Sequence, residues 1–246
     1  MSVPPLLVVE ALSKRFQGLL AVNGVSFSVA PGEIVGLIGP NGAGKTTTFE
    51  MISGFVRPTA GKVTFDGRHI SGTPPHRLAR IGIGRTFQIV QPFLGLSVLE
   101  NVMIGVLGPR PDQHHARERA MAVLAQVGLD RRAAAQARSL TLPEKKRLEL
   151  ARAVATSPRL LLLDEVMAGL TPAEIDQMMP ILRSLRGAGM ALLVVEHVMR
   201  AVMNLSDRIV VMANGSKIAE GTPAEIGGNE AVIAAYLGRR HDRGAA

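Results

Sequence analysis

The sequence predicts an α/β fold that carries an antiparallel β subdomain and an inserted α-helical subdomain, and three observations lead there. The apolar run Ile34-Val35-Gly36-Leu37-Ile38 feeds the loop Gly39-Pro40-Asn41-Gly42-Ala43-Gly44, and the helix-compatible run Thr47 to Ser53 leaves it. Strand-like and helical segments alternate at both ends of the chain, as in an α/β domain. Between Ile89 and about Ala155 the apolar period becomes helical, as in Val98-Leu99-x-x-Val102-Met103 and in Met121, Val123, Leu124 and Val127. The 246 residues suit one large α/β domain or one domain with a sizeable insertion. The expected division is a core lobe over 1–88 and 156–237, a helical subdomain over 89–155 and a disordered tail over 238–246.

In order, Leu6 to Glu10 is β-prone, and Ser26-Phe27-Ser28-Val29 alternates as an antiparallel strand does. Val63-Thr64-Phe65 followed by Asp66-Gly67 is a strand with a hairpin signal, and Ile81 to Phe87 holds another short strand. Gly108 to Asp112 reads as a surface loop. Strands resume at Leu160 to Leu163, Ala191 to Val195, Ile209 to Met212 and Lys217 to Glu220. Thr171-Pro172-Ala173-Glu174 and Thr222-Pro223-Ala224-Glu225 are capping boxes with proline at the first helical position. Arg239 to Ala246 is a small, charged, frayed end.

Composition narrows the function. Hydrophobic residues at 47% are ample for a core. The net charge of +8 points to nucleic acid or an anionic lipid surface, or to scattered solvated Lys and Arg, which is the favoured reading. Aromatics are 3% with no Trp, which argues against base-stacking on single strands, and Lys145-Lys146-Arg147, beside a motif helix, is a poor nucleic-acid patch, so no nucleic-acid partner is expected. The lack of cysteine excludes disulfides, thiolate metal sites and a Cys nucleophile. No apolar run nears the roughly twenty residues that span a bilayer. The N-terminal stretch has no charged-then-apolar signal pattern, so a soluble, cytoplasmic protein is expected.

Residues Gly39, Pro40, Asn41, Gly42, Ala43, Gly44, Lys45, Thr46 and Thr47 fit the phosphate-binding pattern G-x-x-x-x-G-K-[ST]. Glycines let the backbone curl so that N–H groups face a polyphosphate, and the following helix N-terminus adds partial positive charge. Lys45 is placed to reach the β- and γ-phosphates, and Thr46 to ligate Mg²⁺. A Gly-rich turn with a chance lysine is the competing reading, and the strand before and helix after argue against it.

The apolar run Leu160-Leu161-Leu162-Leu163 ends in Asp164-Glu165. It suits a strand buried on both faces of a parallel sheet, whose C-terminal end is where ligands bind. Asp164 is expected to hold Mg²⁺ and Glu165 to orient or deprotonate the attacking water. Val194-Val195-Glu196-His197 repeats the geometry. A lone histidine there is usually structural, but at a nucleotide site His197 has the γ-phosphate and the water as partners. Gln88 is an amide at another strand end, with Mg²⁺ or water as its expected partner. Asp112-x-His114-His115 reads as a solvated polar loop rather than a metal site. Met199 and Met203 read as core.

The order of phosphate loop, Gln88, helical insertion, Asp164-Glu165 and His197 resembles the ATP-binding subunit of an ABC transporter, a P-loop NTPase, over nearly the whole chain. Arg85-Thr86-Phe87-Gln88, Ala168-Gly169-Leu170-Thr171-Pro172, Glu196-His197, Ser206-Asp207-Arg208-Ile209 and Ala219-Glu220-Gly221-Thr222-Pro223 are similar to the branched-chain amino acid (Liv-type) importers. The resemblance implies ATP and Mg²⁺ as cofactors and an ABC nucleotide-binding domain that dimerises head to tail. It implies adenine stacking on Phe16, for which an ordinary core phenylalanine is the alternative. Ala168 to Thr171 becomes a loop that touches the opposite subunit. Integral-membrane permeases become partners in a groove by Gln88, with a solute-binding protein engaged indirectly. The protein is then peripheral, on the cytoplasmic face of the membrane.

One segment departs from the family. Where Leu-Ser-Gly-Gly-Gln is usual, this chain has Leu140-Thr141-Leu142-Pro143-Glu144. Thr141 keeps a hydroxyl for the opposite subunit's nucleotide, but Pro143 has no N–H and Glu144 adds a carboxylate. Thr141-x-x-Glu144 is itself a capping box. Lys145, Lys146 and Arg147 either offset the added charge or face solvent. A heterodimer with one stronger and one weaker site is therefore expected. A regulatory partner with weakened hydrolysis and a non-transport ABC-type ATPase are the alternatives.

Overall fold

A six-stranded sheet organises the computed structural model, which describes residues 4–87, 91–107 and 113–241. Its strands, in spatial order, are β10 (Ser216–Gly221), β9 (Arg208–Ala213), β3 (Ile34–Ile38), β8 (Ala191–Val195), β7 (Leu160–Asp164) and β6 (Ile83–Arg85). All neighbours pair in parallel except β10 with β9. A second, antiparallel sheet has the order β2 (Leu19–Val29), β1 (Leu7–Phe16), β4 (Ala60–Phe65), β5 (Arg68–His69).

The Leu160 run shows why a continuous apolar strand lies at the centre. Leu160 and Leu162 join the core shared with the antiparallel sheet, among Leu7, Phe27, Phe49 and Phe65. Leu161 and Leu163 face the opposite way, into the core shared with the helices, among Val98, Leu148 and Leu182. A period of two sends alternate side chains to opposite faces, so both faces must be covered.

β1 and β2 are longer than their alternation suggests. Register shifts interrupt both ladders of β1, and Ala11 has a left-handed φ of 46°. Bulges break the period-two pattern that sequence reading relies on. The remaining strand expectations coincide with β4, β6, β7, β8, β9 and β10.

Helices α1 (Lys45–Ile52) and α2 (Pro75–Arg80) precede β6. The segment after β6 contains α3 (Val98–Val106), α4 (Gln113–Gln126) and α5 (Leu142–Ala155). The two foreseen capping boxes start α6 (Pro172–Gly187) and α8 (Pro223–Gly227), with Thr171 and Thr222 each accepting a backbone N–H. α7 (Met199–Leu205) lies between them, and Met199 and Met203 pack against a small core of Ile38, Val202 and Val211. The final helix α9 (Glu230–His241) packs Val232 and Tyr236 on that core. The Tyr236 hydroxyl is hydrogen-bonded to the backbone of Gly39, and burial raises its pKa. Helical backbone thus continues through 238–241, into the span expected to be tail.

His114 and His115 differ from expectation in lying on the first turn of α4, not in a loop. Both are exposed, and His114 Nδ1 sits 3.7 Å from Glu118. Asp112 and the loop expected over Gly108 to Asp112 lie outside the described residues. No described helix is long and apolar enough to cross a membrane.

Candidate active site

Residues 39–44 connect β3 to α1 at the C-terminal edge of the parallel strands. Two glycines here are obligatory. A Cβ on Gly39 would lie 2.0 Å from the Met212 carbonyl oxygen, and one on Gly44 would lie 2.7 Å from that of Ala21. Gly44 is also left-handed, at φ 96°, as the N-cap of α1, and no side chain caps that helix. Lys45 is buried, and its ammonium donates to the Gly39 and Pro40 carbonyls at 2.7 and 3.1 Å. Those bonds fold the loop around the charge that a polyphosphate would meet.

Thr46 and Asp164 line one cleft of about 590 Å³, together with Glu50, Arg85, Phe87 and Glu149. The cleft brings together a hydroxyl and a carboxylate from opposite halves of the sequence. Asp164 is buried at the end of β7, which raises its pKa, and the Arg85 guanidinium 3.1 Å away pulls in the opposite direction. Among the described residues no cluster of three or more His, Asp or Glu can hold a metal by itself. One buried carboxylate and one hydroxyl are hard oxygen donors that suit Mg²⁺ shared with phosphates. When bound, that ion would supply charge neutralisation at the transferring phosphoryl group.

Glu165 follows Asp164 with φ 48°, left-handed for a residue with a side chain. Its N–H donates to the Val195 carbonyl at 2.9 Å and its carbonyl accepts from Lys146 at 3.2 Å. Two bonds from different elements keep the strained turn in place. Its carboxylate Oε1 stands 3.7 Å from Nδ1 of His197. The pair comes from the ends of adjacent strands, β7 and β8. Gln88 lies outside the described residues.

Phe16 is 43% exposed at the end of β1, with the Lys14 ammonium 5.0 Å from its ring centre. The core alternative for Phe16 is thereby overturned, because a β-turn tip offers no neighbours to bury it. The adjoining strand β2 carries the Ala21 carbonyl that abuts Gly44.

Thr141 caps α5. Its hydroxyl accepts the Glu144 N–H, and the Glu144 carboxylate accepts the Thr141 N–H at 2.9 Å. Arg132 pairs with the same carboxylate at 3.2 Å. Lys146 corrects an expectation: it neither faces solvent nor joins Glu144, but is buried against Glu165.

Sequence reading assigned no role to Glu149 or Glu196. Both are buried, and burial pushes both to a pKa of about 7. Glu196 accepts the Met167 N–H at 2.8 Å and so holds the turn after Glu165. A carboxylate in an apolar strand end was the available signal for Glu196, and charges spaced i, i+3, i+6 on one helix were the signal for Glu149.

A glycine-lined loop at a helix N-terminus, closed by a buried lysine and faced by a strand-end carboxylate pair, defines a P-loop nucleotide hydrolase site. The sequence model described as ABC transporter matches residues 22–168, and one described as branched-chain amino acid ATP-binding cassette transporter matches residues 216–242. The chain is 44% identical over 250 residues to the high-affinity branched-chain amino acid transport ATP-binding protein LivG of Salmonella typhimurium, covering 95% of this chain and 98% of that one. It is 42% identical over 250 residues to the corresponding BraF of Pseudomonas aeruginosa, with the same coverage. A crystal structure of the ADP conformation of an ATP-binding cassette of an ABC transporter superposes with a TM-score of 0.87 at 31% identity, over 96% of this chain and 99% of that one. This chain belongs to the ABC transporter family. It is an ATP-binding cassette, and its activity is ATP hydrolysis coupled to transport.

Proposed function

We propose that the chain powers a branched-chain amino acid importer from the cytoplasmic face of the membrane. The observation that carries this reading is the pairing of a complete phosphate loop and strand-end carboxylates with a C-terminal segment that matches the branched-chain cassette model. Lys45 and the backbone of Gly39 to Thr47 hold the phosphates. Phe16 offers its exposed ring to adenine. Thr46, Asp164 and Gln88 hold Mg²⁺. Glu165 takes the proton of the attacking water, and His197, beside it, binds the γ-phosphate.

Partners follow from two surfaces. A groove of about 370 Å³ lies between β6 and α3, lined by Phe55, Phe87 and Ile104, which are exposed, and by His76 and Arg152. An apolar groove with a polar rim fits an amphipathic helix, here from a permease. The second surface is the start of α5, which is offered to another ATP-binding subunit. Its closed cap and Pro143 favour a different chain as partner, one that supplies the stronger signature. Scarce aromatics argue against nucleic acid.

The test is purification of the tagged chain from solubilised membranes, followed by leucine uptake in vesicles of the recovered complex. Two permeases, a second ATP-binding subunit and ATP-driven uptake are expected. Recovery of ribosomal or DNA-repair proteins instead would sink the transport reading.

A further inference from the structure

We propose that Lys146 and Glu149, which share one row of α5 with Arg152, fix the strand ends of the ATP site to the helical segment, with Glu149 a positioning residue for hydrolysis. The inference rests on the residue roles proposed above.

The three residues are spaced i, i+3, i+6, which places them on one face of the helix. The packing of α5 is done by other residues: Leu148, Leu150, Ala151 and Val154 enter the helical core. The charged row reaches backbone groups instead, two of them in the opposite lobe and one, for Arg152, in the stretch just before α3. Lys146 donates to the Glu165 carbonyl at 3.2 Å. The Glu149 carboxylate accepts the Phe87 N–H. Arg152 donates to the Gln91 carbonyl at 2.9 Å and stacks on Phe93 at 4.9 Å.

Burying Lys146 and Glu149 carries a desolvation cost that apolar side chains of the same size would avoid. What the charges add is direction, because a charged group bonded to a backbone atom locates that atom. The located atoms matter for the reaction. Glu165 is the proposed base. Phe87 is two residues beyond Arg85, whose guanidinium pairs with Asp164 and lies 5.4 Å from the Phe87 ring centre. Arg85 also donates to Ser53, the C-cap of α1, at 2.7 Å. Glu149 therefore acts on Asp164 through Phe87 and Arg85, and its helix neighbour Lys146 acts on Glu165. A change in the tilt of α5 is delivered to both carboxylates at once.

The experiment measures steady-state ATP hydrolysis by the reconstituted transporter against ATP concentration, with thermal unfolding of each variant alongside. Glu149→Ala is expected to lower kcat by about tenfold or more, as small displacements of catalytic groups do. KM is expected to stay within about twofold, because the nucleotide's own contacts are untouched. Glu149→Gln keeps an oxygen for the Phe87 N–H and is expected to restore most of kcat at an unchanged unfolding midpoint. Lys146→Ala repeats the readout should Glu149→Ala not fold, with rescue by Lys146→Arg. Unchanged kcat in a folded alanine variant, or a folded Glu149→Gln as slow as the alanine, would overturn the proposal. Glu165→Gln, measured in parallel, tests the site assignment separately: full activity there would remove the base, whatever Glu149 does.

Discussion

Two helix N-termini in this chain treat their free backbone donors in opposite ways. At α1 the N-cap is Gly44, no side chain caps the helix and no acid stands in the first turn. At α5 the N-cap is Thr141, Glu144 completes a reciprocal box and Pro143 replaces one donor with a ring. Every helix start leaves orphan N–H groups and a partial positive charge. The first start keeps these for a ligand. The second satisfies them internally, and its carboxylate, paired with Arg132, offsets the dipole. The comparison teaches that affinity for phosphate is a matter of what the chain withholds from its own helix as much as of what it supplies.

The largest effect should come from disabling the open end's partner. Glu165→Gln is expected to lower kcat by about 10²–10⁴-fold while nucleotide binding persists, measured by turnover and by titration with a fluorescent ATP analogue. Wild-type turnover would remove Glu165 as base and leave the loop without a chemical partner.

A smaller change should follow from opening the closed end. Replacing Leu142-Pro143-Glu144 with Gly-Gly-Gln restores backbone donors at the start of α5. One charge-assisted hydrogen bond regained by the partner's nucleotide corresponds to roughly 1.5–3 kcal/mol, so ATPase of the reconstituted complex should rise about tenfold or more. The same variant should lose about 1 kcal/mol of stability, because glycine is a poorer helix former than the leucine it replaces in the first turn. An unchanged rate would show that this surface contributes nothing to the second site.

The smallest effect concerns Glu196, which holds the turn beside the open site. Its pKa rises from 4.5 to about 7, chiefly through burial. Between those values the folded chain retains a proton that the unfolded chain has released, so stability falls as pH rises from about 4.5 to 7 and stays lower above. Glu196→Gln removes that loss. Its melting temperature should match the wild type near pH 5 and exceed it at pH 8 by a few degrees, on the order of 2 kcal/mol. Equal melting curves at both pH values would contradict a neutral Glu196 in the folded state.

The open site was legible in the sequence because its parts are short and local. Gly39 to Thr47 sit on one strand–loop–helix unit, and Asp164-Glu165 end one apolar strand. Periods of two and of helix type, together with Thr–Pro caps, fixed most element positions. The bulges of the β1–β2 hairpin erase the alternation that marks a strand, and the histidines of α4 have no cap signal before them. Sequence also placed a capping box at Thr141, and the box formed.

Other features depended on pairs far apart along the chain. Arg85 meets Asp164, Lys146 meets Glu165, and Glu149 meets Phe87, at sequence separations of 79, 19 and 62. No local pattern records such meetings, because strand order and helix docking decide which ends share a cleft. The sequence alone determined the family of fold, the phosphate loop and the acidic strand end, each set by nearest neighbours and backbone sterics. Only the tertiary structure decided that Phe16 stands exposed and that burial raises the pKa of Glu149 and Glu196 to about 7. It also decided that α5 is bonded to the chain just beyond β6 and β7, because burial and electrostatics are properties of the assembled layers rather than of any segment.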